Sequence, residues 1–193
     1  MQRYRVIIAQ ILSRALDPVW EVPLALLLAI GFAVHEGLRW RFVGLLMFID
    51  FVVPFIFFLM MIKHRQIRNW DMDIKAQRLP ILFFSLLCSL GGLWLAYEMG
   101  KVELLSILMT YYLIAVAFFV ITFFWKISLH AGVNAVLITS LNMFYGWKYS
   151  WLYILLLGVM WARVYQKHHT WVQVVAGAVL GTGMVMLGLR VGS

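Results

Sequence analysis

The amino-acid sequence predicts an all-α integral membrane protein, a bundle of six to seven transmembrane helices with an amphipathic interfacial helix at its N-terminus. Three observations carry that expectation. Sixty-four per cent of the 193 residues are hydrophobic and 12% are charged, more apolar surface than a soluble domain of this size can hide. The apolar residues fall in runs too long for strands and without the alternation of a membrane barrel, which excludes sheet. Finally, the cations sit in short connections between those runs, and many of the nine Trp and eight Tyr lie near run ends, where aromatic belts form.

In chain order, residues 3–17 (YRVIIAQILSRALDP) mix apolar and basic positions at helical spacing and read as a helix lying in the interface. The chain is expected to be one domain over 1–193, with an interfacial helix at 1–18 and a helical bundle at 19–193. Seven spans are predicted at about 20–35, 42–62, 79–97, 102–125, 127–145, 150–165 and 171–189. The first and sixth are short for a hydrocarbon core of ~30 Å, which takes ~20 residues to cross. The 14 Gly suit close helix packing. Cys88 is the single cysteine and lies inside an apolar run, so there is no disulfide framework. The first apolar stretch, interrupted by Arg14 and Asp17, does not read as a cleavable signal. A net charge of +8 placed in interhelical connections points to anionic lipid headgroups rather than nucleic acid.

Counting sides of the membrane concentrates the polar chemistry on one face. The face carrying the connection 63–78 also receives the N-terminal helix, residue 126 and residues 166–170. It holds Arg3, Arg5, Arg14, Lys63, Arg65, Arg68, Lys75, Arg78, Lys126, Arg163 and Lys167, whereas the other holds only Arg39, Arg41, Lys101, Lys148 and Arg190. His64, His130, His168 and His169 lie on or near the richer face. By the positive-inside bias that face is expected to be cytoplasmic, in the cell membrane.

Three clusters on this face are candidates for chemistry. In WARVYQKHHTWVQ, five residues separate Arg163 from His169, and Gln173 follows three residues later. Gln173 on the first turn of the last span can reach the ring of His169 and set its tautomer, or Thr170 and Gln173 form a capping box. In WKISLHAG, Ser128 and His130 open the fifth span behind Trp125 and Lys126. A histidine entering an apolar helix is a functional candidate, or a packing group bonded to a neighbouring helix. In NWDMDIKAQRLP, Asp71, Asp73, Lys75 and Arg78 precede Pro80, and a mixed-sign loop of this kind reads by itself as a solvated connection. Asp50, in the second span, is expected to pair with Asn134 or Asn142 as packing glue, or else to line a substrate cleft.

Together the clusters resemble the type 2 phosphatidic acid phosphatase family of membrane lipid phosphatases. That family's pattern is Lys, six residues, Arg-Pro; then Pro-Ser-Gly-His; then Ser-Arg, five residues, His, three residues, Asp. Arg78-Leu79-Pro80, Ile127-Ser128-Leu129-His130 and Ala162-Arg163 with His169 follow it in order, over roughly residues 71–173. The resemblance implies an enzyme that acts on a phosphorylated lipid or prenyl (di)phosphate. His169 would be the nucleophile that forms a phosphohistidine, His130 the acid for the leaving oxygen, and Arg78, Ser128 and Arg163 the holders of the phosphate oxygens. The family's first Lys is Asp71 here and its last Asp is Gln173. Lys75 or Lys126 would then supply the missing charge, or Asp71 and Asp73 would hold Mg²⁺; otherwise no cofactor is implied. Gln173 would orient the ring without the charge of a carboxylate, so Gln173→Asp is expected to raise hydrolysis. Two other readings stand beside this one. One is a non-catalytic membrane protein that binds a lipid phosphate, and the other is an intramembrane prenyltransferase-like enzyme using Asp71 and Asp73.

Overall fold

A computed structural model describes residues 2–34, 40–72 and 74–191; Arg39 and Asp73 lie outside the described residues. No strand occurs among these residues, and the chain is a multi-pass helical membrane protein. Helices α1 (Gln2–Ala15) and α2 (Pro18–Ala33) are separated only at Leu16–Asp17. α3 (Trp40–Met47), a π-helical segment (Phe48–Val52) and α4 (Val53–Lys63) run on as one helix. Then follow α5 (Leu79–Glu98), α6 (Val102–Phe124), α7 (Leu129–Phe144), α8 (Tyr153–Tyr165) and α9 (Trp171–Val191).

Five stretches are long and apolar enough to cross a membrane, namely Arg3–Ala33, Trp40–Lys63, Lys75–Glu98, Val102–Phe124 and Trp171–Arg190; Leu129–Phe144 and Ser150–Tyr165 are shorter apolar helices. The sequence expected a longer fifth span. It loses its first residues because Trp125 and Ser128 are extended, and α7 starts only at Leu129.

The described residues divide into two compact units, one of residues up to Ala25 with Lys126–Val191, the other of Leu26–Trp125. In the first, α7 is the central helix. Ten of its residues are buried, among them His130, Asn134, Thr139, Ser140 and Asn142. A helix this polar and this short is shielded by protein rather than by lipid, which is how its polar side chains find partners. The Asn142 amide donates to Ile138 O and its oxygen accepts from Tyr149 N–H, while Thr139 Oγ1 meets Tyr153 Oη at 2.8 Å.

α9 lies against α7 and runs parallel to it. A Cβ on Gly177 would lie 2.5 Å from Ser128 O, one on Gly181 would lie 2.6 Å from Gly132 O, and Thr182 meets Thr139 further along. The two backbones touch only because Gly177 and Gly181, spaced four apart, have no side chains. α1 docks on α8 by a narrow stripe of Ala9, Leu12 and Ser13, leaving Tyr4, Ile7, Ile8 and Ile11 exposed beside Arg3, Arg5 and Arg14.

In the second unit the π segment precedes Pro54. Val53 N–H reaches five residues back to Phe48 O, which re-registers the ladder next to a residue with no N–H to give. The segment carries Asp50 against Gly92 of α5. The expected pairing of Asp50 with an asparagine finds no support in the asparagines' own bonds: Asn134 and Asn142 spend their amides inside the first unit. Phe57 stacks on Phe84 at 4.3 Å, and Phe58 meets Trp70 edge-on at 5.1 Å. Ile67, Trp70 and Met72 show that the stretch 67–72 is folded onto α4, not simply solvated.

Gly177→Ala is expected to force α7 and α9 apart and to lower the thermal midpoint of the detergent-purified protein, at a cost of about 1–3 kcal/mol. Gly183→Ala is the control, since a Cβ there meets nothing within 4 Å. Equal midpoints for the two variants would show that the close approach is not what holds the helices together.

Candidate functional site

The Arg163-to-His169 spacing is the span of one helix terminator. At the end of α8, His168 N–H donates to Arg163 O at 3.1 Å and Lys167 N–H to Val164 O at 2.9 Å, with Lys167 in the left-handed region at φ 61°. That pair of bonds is the Schellman pattern. It reverses the chain so that His169 N–H also reaches Arg163 O, at 3.3 Å. Arg163 is fully buried. A guanidinium does not deprotonate in proteins, so a fixed positive charge is held on the residue whose carbonyl gathers His168 and His169.

The N-terminus of α9 satisfies both readings of Gln173. Gln173 N–H donates to Thr170 Oγ1 at 3.4 Å and Thr170 N–H donates to Gln173 Oε1 at 3.1 Å, which is a capping box. The same Oε1 lies 3.1 Å from His169 Nδ1. An atom that accepts from Thr170 N–H must be the amide oxygen, and an amide oxygen only accepts. His169 Nδ1 therefore carries the proton in this contact, and the neutral ring has its lone pair on Nε2. His169 is buried.

The N-terminus of α7 is tied to these two segments. Ser128 caps α7, its Oγ accepting from Ala131 N–H at 3.4 Å, while its own N–H donates to Gln173 O at 3.3 Å. Lys126 Nζ donates to His168 O at 2.9 Å. Because α7 and α9 are parallel, Lys126, Ser128, His130, His169 and Gln173 share one end of the first unit with the C-terminal turn of α8 that carries Arg163.

A residue absent from the sequence-based set of candidates joins them. Asp17, between α1 and α2, is buried, and its Oδ2 lies 3.5 Å from His130 Nε2 and 3.8 Å from Arg14 Nη1. Its Oδ1 accepts from Val19 N–H at 3.0 Å, capping α2. The signal was Asp-Pro: an N-cap acid followed by a proline in the first turn marks a helix start, and the carboxylate is then fixed in place. Two amides lock the same segment. Asn134 Nδ2 on α7 donates to Leu16 O at 3.1 Å, and Gln166 Nε2 donates to Ala9 O at 2.7 Å and Ser13 Oγ at 3.0 Å. Glu21, one turn beyond Asp17, is buried, and its Oε2 makes no hydrogen bond among the described residues.

The remaining candidates belong to the second unit. Arg78 is buried and its Nε donates to Met72 O at 2.8 Å. Lys75 Nζ donates to Phe123 O at 2.9 Å and Phe124 O at 3.3 Å, capping the C-terminus of α6. Asp71 is half-buried in the folded connection, and Asp73 lies outside the described residues. Among the described residues no group of three or more His, Cys, Asp or Glu is arranged to hold a metal ion.

No family model, no curated protein and no solved structure matches this chain.

Lys167 occupies a backbone conformation that side chains with a Cβ adopt at a cost of roughly 1 kcal/mol. Lys167→Gly is expected to raise the thermal midpoint by the equivalent of about 0.5–1 kcal/mol, and Lys167→Val to lower it. The opposite order in a melting experiment would show that the turn does not constrain the Arg163-to-His169 loop.

Proposed function

We propose that the chain is a membrane lipid phosphatase or phosphotransferase that acts on a phosphorylated lipid or a prenyl (di)phosphate through a phosphohistidine on His169. The observation that carries this reading is the Gln173 Oε1 contact with His169 Nδ1 and Thr170 N–H, which leaves the lone pair of a buried imidazole on Nε2. A nucleophilic nitrogen needs that tautomer, fixed in advance. The buried charge of Arg163, one turn of chain away, suits the spread negative charge of a transferring phosphoryl group. Ser128 and Lys126 add a hydroxyl and an ammonium at the same end of the unit. His130 supplies the proton to the leaving oxygen, a role worth roughly 10²–10⁴ in rate. The reading rests on residues of the first unit; Arg78 and Lys75 belong to the second.

Purified protein is to be assayed against lipid monophosphates and prenyl diphosphates, with and without Mg²⁺. Radiolabelled phosphate should be retained in acid-labile, base-stable form by wild-type protein and lost in His169→Ala. Binding without turnover would favour the lipid-phosphate-binding reading, and turnover that leaves His169 unlabelled would overturn the phosphohistidine. Because Gln173 Oε1 already sits 3.1 Å from the ring, the geometry selects Gln173→Glu over the shorter Asp as the variant that adds charge without losing reach. Gln173→Glu is expected to raise turnover about tenfold, which corresponds to about 1.4 kcal/mol of added stabilisation of the charged ring. An unchanged or lower rate would confine Gln173 to helix capping.

The active face is assigned to the cytoplasm of the cell, with α1 lying in the interface. The support is the excess of cations there and the exposed Tyr4, Ile7, Ile8 and Ile11 alongside Arg3, Arg5 and Arg14 on α1. With Cys88 replaced, single-cysteine variants Gln66→Cys and Lys167→Cys should resist an impermeant thiol reagent in intact cells and react after lysis. Reaction in intact cells would place this face outside.

A further inference from the structure

The carboxylate that the sequence pattern lacks beside His169 is found beside the other histidine. Gln173, an amide, stands by His169, whereas Asp17 Oδ2 stands 3.5 Å from His130 Nε2. Its neighbour Leu16 is anchored by Asn134, 118 residues further along the chain, and Asp17 is held with little freedom. Val19 N–H fixes one carboxylate oxygen and Arg14 approaches the other. Asn134 on α7 and Gln166 after α8 grip the backbone on its N-terminal side. The side chains of His130, Asn134 and Gln166, which reach this segment, come from the two stretches that carry the candidate catalytic residues.

We propose that Asp17 is a positioning residue for His130, its carboxylate holding the ring through Nε2 and leaving Nδ1 as the nitrogen that exchanges the proton. At 3.5 Å the contact is an ion pair rather than a hydrogen bond, and a carboxylate at that distance favours the proton on the ring nitrogen nearest it. The use made of the Nδ1 proton rests on the phosphoryl-transfer reading above; the pairing itself does not. As the His169 Nε2–P bond forms and the P–O bond to the lipid breaks, the Nδ1 proton passes to the leaving oxygen and its electron pair remains on Nδ1. Water then gives a proton to Nδ1 as its oxygen bonds to phosphorus and the P–N bond breaks, which restores the imidazolium against Asp17. The N-terminal helix thereby becomes part of the active site, in addition to any contact it makes with the bilayer.

Asp17→Asn separates this role from a structural one, because asparagine caps a helix as well as aspartate and keeps the Val19 contact while removing the charge. It is expected to leave the thermal midpoint unchanged and to lower turnover about a hundredfold. Asp17→Ser, which also caps but is too short to reach the ring, should match it. The second readout is the nitrogen-15 NMR spectrum of histidine-labelled protein, with the His130 signals assigned by comparison with His130→Asn. Wild-type His130 should report a protonated Nε2, and both Asp17 variants should redistribute the proton. Unchanged His130 signals in a folded Asp17→Asn protein, or wild-type turnover in that variant, would overturn the proposal. The nitrogen signals are read on resting protein, so they decide the pairing even if wild-type protein hydrolyses nothing, a result that overturns the proposed activity alone.

Discussion

The first unit depends on how closely α7 and α9 approach. Between helices in a bilayer there is no hydrophobic drive toward association, since lipid tails are as apolar as leucine, and what remains is packing and hydrogen bonding. Gly177 and Gly181 let the backbone of α9 settle against Ser128 and Gly132, and that contact is what aligns the starts of the two helices. From the alignment follow the bond from Ser128 N–H to Gln173 O and the bond from Lys126 to His168 O. The polarity of α7 belongs to the same constraint. Asn134, Thr139, Ser140 and Asn142 are tolerable at membrane depth only in a helix wrapped by protein.

Several of the cations that a phosphate site would recruit also hold backbone. Lys75 closes the carbonyl end of α6, Arg78 holds Met72 O, and Lys126 holds His168 O. The last carbonyls of a helix lack partners within the helix, and a long cationic side chain is an efficient donor to them. Charge placed near a candidate site is thus not wholly committed to a ligand. Removing one of these side chains would disturb a loop as well as an electrostatic field, and kinetic losses alone would not distinguish the two.

The helices were legible in the sequence because apolar length is a strong signal: spans expected at 42–62, 79–97 and 102–125 lie within about two residues of the helical bounds Trp40–Lys63, Leu79–Glu98 and Val102–Phe124. The neighbourhood of Arg163, His169 and Gln173 was legible because all three are local to one turn and one cap. The proximity of Gln173 to His169 follows from helix spacing alone. Asp17 was not legible as a partner of His130, because nothing local connects positions so far apart; only the packing of the α1–α2 break against α7 does so. The folding of the stretch 67–72 was missed for a related reason. Its charges read as solvated, while the burial of Ile67 and the ring contact of Trp70 with Phe58 depend on α4.

The discontinuity of the first unit has a consequence for biosynthesis. The second unit, Leu26–Trp125, is one uninterrupted stretch and is fully synthesised once α6 has left the ribosome. The first cannot close then. α1 is made first, but the Gln166 amide that grips Ala9 and Ser13 is 157 and 153 residues downstream. During most of translation α1 therefore has no α8 to cover its small-residue stripe. Contacts of such long sequence separation form late and slowly. The end of the first unit that gathers His130 and His169 therefore closes only after α8 and the start of α9 are made, and a chain truncated before α8 would leave α1 without its dock.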